Sequence, residues 1–364
     1  MMTGESAVHL LHGMLRIPSP SGYEAELADY VVGAMRRLGY TAHVDQAGNA
    51  VGEIVRGPGP TVMLVGHLDT VPGDLPVRVD GDRLYGRGAV DAKGPLAAMI
   101  RAAAGAEFHG TLVVVGAVGE ETSMSPGARH LRATRPQPDM LIVGEPSGWD
   151  SVVLGYKGKL DLRFRVERAA THDTNPAPKA AELAASAWSL LLEILGPDVG
   201  HDGFDTPGPT LVSIRGDGVS AEADFSIRLP PGFDVPSLVT TLRACLPDGT
   251  LQLVNSVPAC RVDRRNPVVR ALVVGIRAQD GRPRMKVKTG TSDMNTLTEV
   301  WRVPAATYGP GDGRLCHAGD EHILVPDYLR SIDVLTRALH ELGCHPAHRP
   351  SPLAEAAPHG GVSW

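Results

Sequence analysis

Residues 61–66 read TVMLVG, and residues 66–73 continue as GHLDTVPG. An apolar run of this length, without alternation, predicts a strand buried on both faces, as in a parallel sheet. The pattern recurs as TLVVVGAV at 111–118 and MLIVG at 140–144. Residues 95–104 between them carry helical character, with Pro95 suited to a first turn, and 126–133 predict a second helix. Upstream, 7–15 and 24–38 also space their apolar residues for helices. Strand, helix, strand, helix, strand predicts an α/β fold with a mostly parallel sheet covered by helices.

The style changes near Gly155. Residues 157–166 alternate strictly in polarity, predicting a half-exposed antiparallel strand. A helix over 177–195, strands over 210–215 and 221–229, a helix over 235–245 and a strand over 250–257 follow. That order describes a small α+β (ferredoxin-like) unit with a one-sided sheet. From Asn266 the first style returns, with a helix to about Arg277, a strand at 284–288 and a helix over 327–342. The expected organisation is a catalytic domain, 1–155 and 266–345, interrupted by an inserted domain, 156–265. A Pro-, Ala-, His- and Gly-rich tail, 346–364, is expected to be flexible.

Composition bounds the function. A length of 364 residues suits about two domains. With 43% apolar and 21% charged residues the chain is an ordinary globular protein, and no apolar run is long enough for a membrane span. A net charge of −6 argues against a general nucleic-acid binder. The four cysteines are scattered without CxxC, which fits a reducing compartment. The first sixteen residues lack a signal-peptide pattern, so a cytoplasmic location is expected.

Acidic and imidazole residues follow the apolar strands. His67 and Asp69 follow the first, Glu120 and Glu121 the second, and Glu145 the third; Asp91 lies in a loop between. Ligands of open α/β sheets bind beyond the carboxyl ends of the strands, so these residues can converge. GPGDGRLCHAGDEH, residues 309–322, adds His317 and Glu321. Imidazoles with several carboxylates suit zinc, cobalt or manganese. A carboxylate shared by two cations reduces their repulsion, and Asp69 is placed to orient His67. Of two adjacent glutamates after a strand, one can hold metal while the other serves as proton shuttle. Each signal has a plain structural counterpart: Asp69 as a turn residue, Asp91 as a helix cap, the glutamate pair as solvated surface. Their succession at strand ends favours chemistry.

In GHLDTVPG, GRGAVDAKG, GEE, GEPS, GTSDMN and HAGDEH, spanning His67 to Glu321, the sequence resembles the dinuclear-metal aminoacylases, N-acetylornithine deacetylases, succinyl-diaminopimelate desuccinylases and glutamate carboxypeptidases. The resemblance implies two divalent metal ions, zinc or cobalt, bridged by Asp91. His67 and Glu145 would complete one site, Glu121 and His317 the other, with Glu120 as general base and acid and Asp69 supporting His67. It also implies a homodimer formed through the inserted domain, with His172 reaching the partner's active site. GYKGK, VKTGTSDMN and YGPGD are most similar to hydrolases that release lysine or ornithine from an acidic amino-group carrier protein, at an amide on its terminal glutamate side chain. Lys157 and Thr291 would then hold a substrate carboxylate, with Gly290 allowing close approach and Arg228 a further candidate. Lys157, Lys159, Arg163 and Arg165 share one strand parity, as do Arg282, Arg284, Lys286 and Lys288, and such stripes suit an acidic partner. They equally suit solubilised exposed faces. Deacylation of a free N-acyl amino acid is the alternative reaction, followed by dipeptidase or carboxypeptidase activity.

Overall fold

The computed structural model describes residues 4–122 and 124–343; the expected flexible tail lies outside them. The chain opens with α1 (Gly4–Leu15), α2 (Ala25–Arg37), β1 (Thr41–Val44), β2 (Ala50–Arg56), β3 (Thr61–His67), β4 (Arg78–Asp80) and β5 (Arg83–Tyr85). It continues through α3 (Lys93–Gly105), β6 (Gly110–Ala117), α4 (Pro126–Thr134), β7 (Met140–Val143) and β8 (Ser151–Tyr156). Next come β9 (Gly158–Glu167), α5 (Ala180–Leu195), β10 (Gly208–Gly216), β11 (Ser220–Leu229), α6 (Val235–Cys245) and β12 (Thr250–Val257). The last elements are β13 (Cys260–Arg261), α7 (Pro267–Ala278), β14 (Arg284–Lys288), α8 (Asp293–Thr298), β15 (Ala305–Thr307), β16 (His322–Leu324) and α9 (Val325–Gly343).

Nine strands form the main sheet, in the order β1-β2-β6-β3-β7-β15-β8-β13, with β14 beside β8. Its centre, β6-β3-β7-β15, is parallel. The continuous apolar runs are explained by burial on both sides. Val62 and Leu64 face one core with Leu112, Val114 and Ile142, against α1, α2, α3, α7 and α9. Met63 and Val65 face a second core with Val113, Val115 and Leu141, against α4 and α8. Truncating a side chain such as Leu64 to alanine would cost about 2–5 kcal/mol. Two glycines bring α3 close to the strand ends. A Cβ on Gly66 would meet Leu96 Cβ at 3.2 Å, and one on Gly116 would meet Leu96 Cδ2 at 3.0 Å.

Strands β10-β11-β9-β12 form a separate antiparallel sheet. Leu160, Leu162, Phe164 and Val166 of β9 pack with Ala184, Ala187 and Leu191 of α5 and Leu238 and Leu242 of α6. The opposite face differs from the expected basic stripe. Lys159 pairs with Asp161 at 3.1 Å, Arg163 with Asp224 at 2.7 Å and Arg165 with Glu222 at 2.5 Å. Acidic side chains on the same and the neighbouring strand largely neutralise the row. Helix α5 starts at Ala180 rather than Ala177, because Pro178 holds the preceding residue extended and Glu182 Oε2 accepts the Lys179 N–H at 2.8 Å. The hairpin β1–β2, strand β8 and the three-stranded sheet β16-β5-β4 were not foreseen. No helix among the described residues is long and apolar enough to cross a membrane.

Candidate active site

His67 ends β3, Glu120 and Glu121 follow β6, and Glu145 follows β7. These are three neighbouring parallel strands, so their carboxyl ends bring the side chains together. Asp91 lies two residues before α3, and His317 on a segment where it takes φ of +62°. A histidine there is strained, and such strain concentrates at functional positions.

The side chains converge on Asp91. Its Oδ1 lies 3.2 Å from His67 Nε2, and its Oδ2 lies 3.5 Å from His317 Nε2. Glu145 Oε1 is 3.8 Å from His67 Nε2, and Glu121 Oε1 is 2.7 Å from His317 Nε2. Glu120 joins this group: donor atoms of His67, Glu120 and Glu145 lie within 4.8 Å of one another, as do those of His67, Asp91 and Glu121. His67 Nδ1 is 2.9 Å from the carbonyl oxygen of Asp69 and 3.4 Å from its carboxylate. That carboxylate grips the turn beyond β6: Oδ1 accepts the Glu120 N–H at 2.9 Å, and Oδ2 accepts the Glu121 N–H at 3.0 Å and the Ser21 hydroxyl at 2.7 Å.

Asp91, Glu120, Glu121, Glu145, His317, Arg228, Gly290 and Thr291 line a cavity of about 310 Å³. Arg228 Nη1 donates to Thr291 Oγ1 at 3.2 Å. Lys157 does not reach the cavity; it is 0% exposed and its Nζ points to Gly200 O at 3.4 Å. Lys159, two residues on, lines the wall instead. His172 stands in an exposed loop with its Nδ1 2.9 Å from Thr174 Oγ1, away from the cavity of its own chain. One buried acid was missed. Asp293 opens α8 inside GTSDMN, and its Oδ1 is buried without a hydrogen-bond partner. The only sequence signal was its place in that motif.

Electrostatics test whether cations fit. Burial, the Asp91 charge and nearby Asp293 push the Glu145 carboxyl up to about 8, against the pull of His67 and Lys288. Burial and Glu145 raise Glu120 well above the carboxylate range. Burial raises Asp293 to about 7. Asp91 is held low: burial opposes it, but His317 and His67 outweigh burial. His317 itself is raised to about 9, first by Asp91 and then by Glu121. Buried carboxylates outnumber the imidazoles, and they strain toward taking up protons. A set of hard and borderline donors with excess negative charge fits divalent cations.

Such a cation-ready carboxylate cluster, with glutamates fixed at strand ends, is the kind of centre with which metal-dependent hydrolases activate water. The chain belongs to peptidase family M20/M25/M40, whose family model matches residues 63–341. It is 41% identical to the LysW-lysine hydrolase of Deinococcus radiodurans over 93% of this chain and 97% of that one. It is 28% identical to the LysW-lysine/LysW-ornithine hydrolase of Saccharolobus islandicus, over 93% of this chain and 96% of that one. Among solved structures, it shares its fold with the M20 family metallo-carboxypeptidase Sso-CP2 of Sulfolobus solfataricus (TM-score 0.78, 19% identity, 93% and 99% covered). A dinuclear metal-binding peptidase of the M20 family from Bacillus subtilis also matches (TM-score 0.69, 12% identity, 93% and 97% covered).

Proposed function

We propose that this chain releases lysine, ornithine or a related diamino acid from the terminal glutamate side chain of an amino-group carrier protein, by metal-assisted hydrolysis in the cytoplasm. The observation that carries the chemistry is Asp91, with one oxygen turned to each imidazole beside Glu120. His67, Asp91 and Glu145 would hold one zinc or cobalt ion, and His317, Asp91 and Glu121 the other. When bound, the two cations polarise an amide carbonyl and acidify a water molecule. Glu120 accepts the proton of the attacking water at its carboxylate and gives it to the departing amine. Asp69 fixes the turn that aims Glu120. Arg228 and Lys159 supply positive charge for a substrate carboxylate at the cavity wall, Thr291 a hydroxyl, and Gly290 leaves room beside them.

The carrier assignment rests on the names of the 41% and 28% identical relatives and on charge. Arg284, Lys286 and Lys288 lie on β14, with Arg282 just before it, and the strand leads into Gly290 and Thr291 at the cavity. Arg282 makes no ion pair among the described residues, and the row stays net positive although Arg284 pairs with Asp150. An acidic carrier fits such a row. In this reading the unit 156–265 forms a homodimer, and His172 of one copy polarises the scissile carbonyl in the other.

The test incubates metal-loaded protein with lysyl- and ornithyl-carrier and follows intact mass. Loss of one amino acid from the carrier, with slow or absent turnover of free N-acetylornithine, supports the reading. Efficient turnover of the free compound with an untouched carrier replaces it by small-molecule deacylation.

A further inference from the structure

Glu321 is a charged residue that the proposed chemistry does not use. It is 1% exposed, and both its oxygens are fully engaged. Oε1 accepts the N–H groups of Val90 at 2.9 Å and Asp91 at 3.1 Å. Oε2 accepts the Gly88 N–H at 3.1 Å and Arg87 Nη1 at 2.9 Å. The Glu321 carbonyl also accepts the Gly86 N–H at 3.2 Å. The whole loop that carries Asp91 is therefore hung on one side chain.

Arg87 extends the connection. Its Nη1 also donates to Ala318 O at 3.1 Å, the residue after His317, and its Nε to Gly73 O at 2.9 Å. The backbone supports the same arrangement. Glu321 immediately precedes β16, which pairs antiparallel with β5, His322 opposite Tyr85 and Ile323 opposite Leu84. One loop leaves β5 toward Asp91, and the other enters β16 from His317. The Glu321–Arg87 pair joins them just below the point where Asp91 Oδ2 and His317 Nε2 stand 3.5 Å apart. Neither residue lines the catalytic cavity.

We propose that Glu321, acting with Arg87, is a positioning residue that sets the distance between Asp91 and His317 and so the affinity of the cation they share. This rests on the reading of those two side chains as metal ligands. A neutral glutamine keeps one acceptor and turns an NH₂ toward amide donors, so the Asp91 loop loses part of its anchor. Outer partners of this kind change metal affinity by about 10- to 100-fold.

The experiment titrates zinc or cobalt into metal-free wild type, Glu321→Gln and Arg87→Lys by calorimetry, and records the melting temperature of each metal-free protein. Expected are an affinity for one of the two cations about tenfold or more weaker in Glu321→Gln, a smaller fall in Arg87→Lys, and a substrate KM near wild type once metal is saturating. Added metal should restore kcat. Unchanged affinity in the folded variants, or a lowered metal-free melting temperature as the sole effect, overturns the positioning role. If Glu321→Gln does not fold, Arg87→Lys decides by the same criterion. Wild type that binds no cation overturns the metal reading, and this proposal with it; wild type that binds two cations but leaves the carrier untouched removes only the substrate assignment.

Discussion

Asparagine at position 69 probes how the catalytic turn is held. The Asp69 carboxylate is buried and takes three donors at 3.0 Å or less: Glu120 N–H, Glu121 N–H and the Ser21 hydroxyl. Burial alone would raise its pKa, but the His67 imidazole, Ser21 and the Glu121 N–H hold it below the usual range. His67 has the closer partner in the Asp69 carbonyl oxygen, 2.9 Å away, which the substitution leaves in place. Asparagine can present its single oxygen to Glu120, and the Ser21 hydroxyl can rotate to accept from the new NH₂. The Glu121 N–H then has no acceptor. Loss of a hydrogen bond to a charged group costs about 1.5–3 kcal/mol. If that cost is met when Glu121 is drawn into place by a cation, binding there weakens by about 10- to 150-fold.

The assay is a calorimetric metal titration of Asp69→Asn that resolves the two binding steps, with kcat measured at saturating metal. The expected result is a loss concentrated in the step that involves Glu121 and His317, and a reduced kcat because Glu120 shares the disturbed turn. Wild-type affinity in both steps with full kcat refutes the anchoring argument. A loss confined to the His67 step would show instead that the carboxylate works through the imidazole.

Three further outcomes follow from the geometry. Glu120→Gln should keep both cations and lose about 10²- to 10⁴-fold in kcat, and near-normal turnover with metal content verified would remove Glu120 from its role. In the metal-free protein His317, raised to about 9 chiefly by Asp91, and Glu145, raised to about 8 by burial and Asp91, both carry protons at neutral pH. Cations must displace those protons, so affinity should fall on acidification below about pH 9, roughly tenfold per pH unit for each proton displaced; titrations in buffers of different ionisation enthalpy should register the release, and none would contradict the assignment. The double change Arg282→Glu with Arg284→Glu should raise KM for carrier-linked substrate and weaken its salt dependence, without altering turnover of a small N-acyl substrate. An equal effect on both substrates would move the carrier's docking surface elsewhere.

The legible parts of the sequence were those where one local pattern has one structural meaning. TVMLVG, TLVVVGAV and MLIVG could be read as central strands because both parities are apolar, and each parity does meet its own core. Residues 41–44 and 50–56 mix charged and apolar residues on an outer hairpin, so periodicity did not separate them from loop. Parity placed Lys157 with Lys159 on one face, but the strand begins at Gly158, and only a strand's start decides which lysine reaches the wall. The basic row on β9 looked free because its counter-charges, Glu222 and Asp224, sit some sixty residues away on β11. Asp293 and the anchoring role of Glu321 depend on tertiary placement. A carboxylate buried without a partner, or one ringed by distant amides, leaves no trace in spacing.

The site holds more acid than two imidazoles need. Asp91, Glu120, Glu121, Glu145 and Asp293 all influence one small region, and with every one ionised their mutual repulsion is severe. Two divalent cations would bring the group to about one negative charge with both imidazoles neutral. A proton on Glu120 removes that last charge. In the proposed mechanism that surplus suits Glu120 to act as a base: it is assigned to neither cation, and burial beside Glu145 makes it hold a proton well. A base of that kind takes a proton from water as bond formation begins and still yields it to an amine, which is more basic than any carboxylate in the cluster. Stronger compensation of Glu120, for example by a nearby lysine, would keep the fold and the cations but weaken the base.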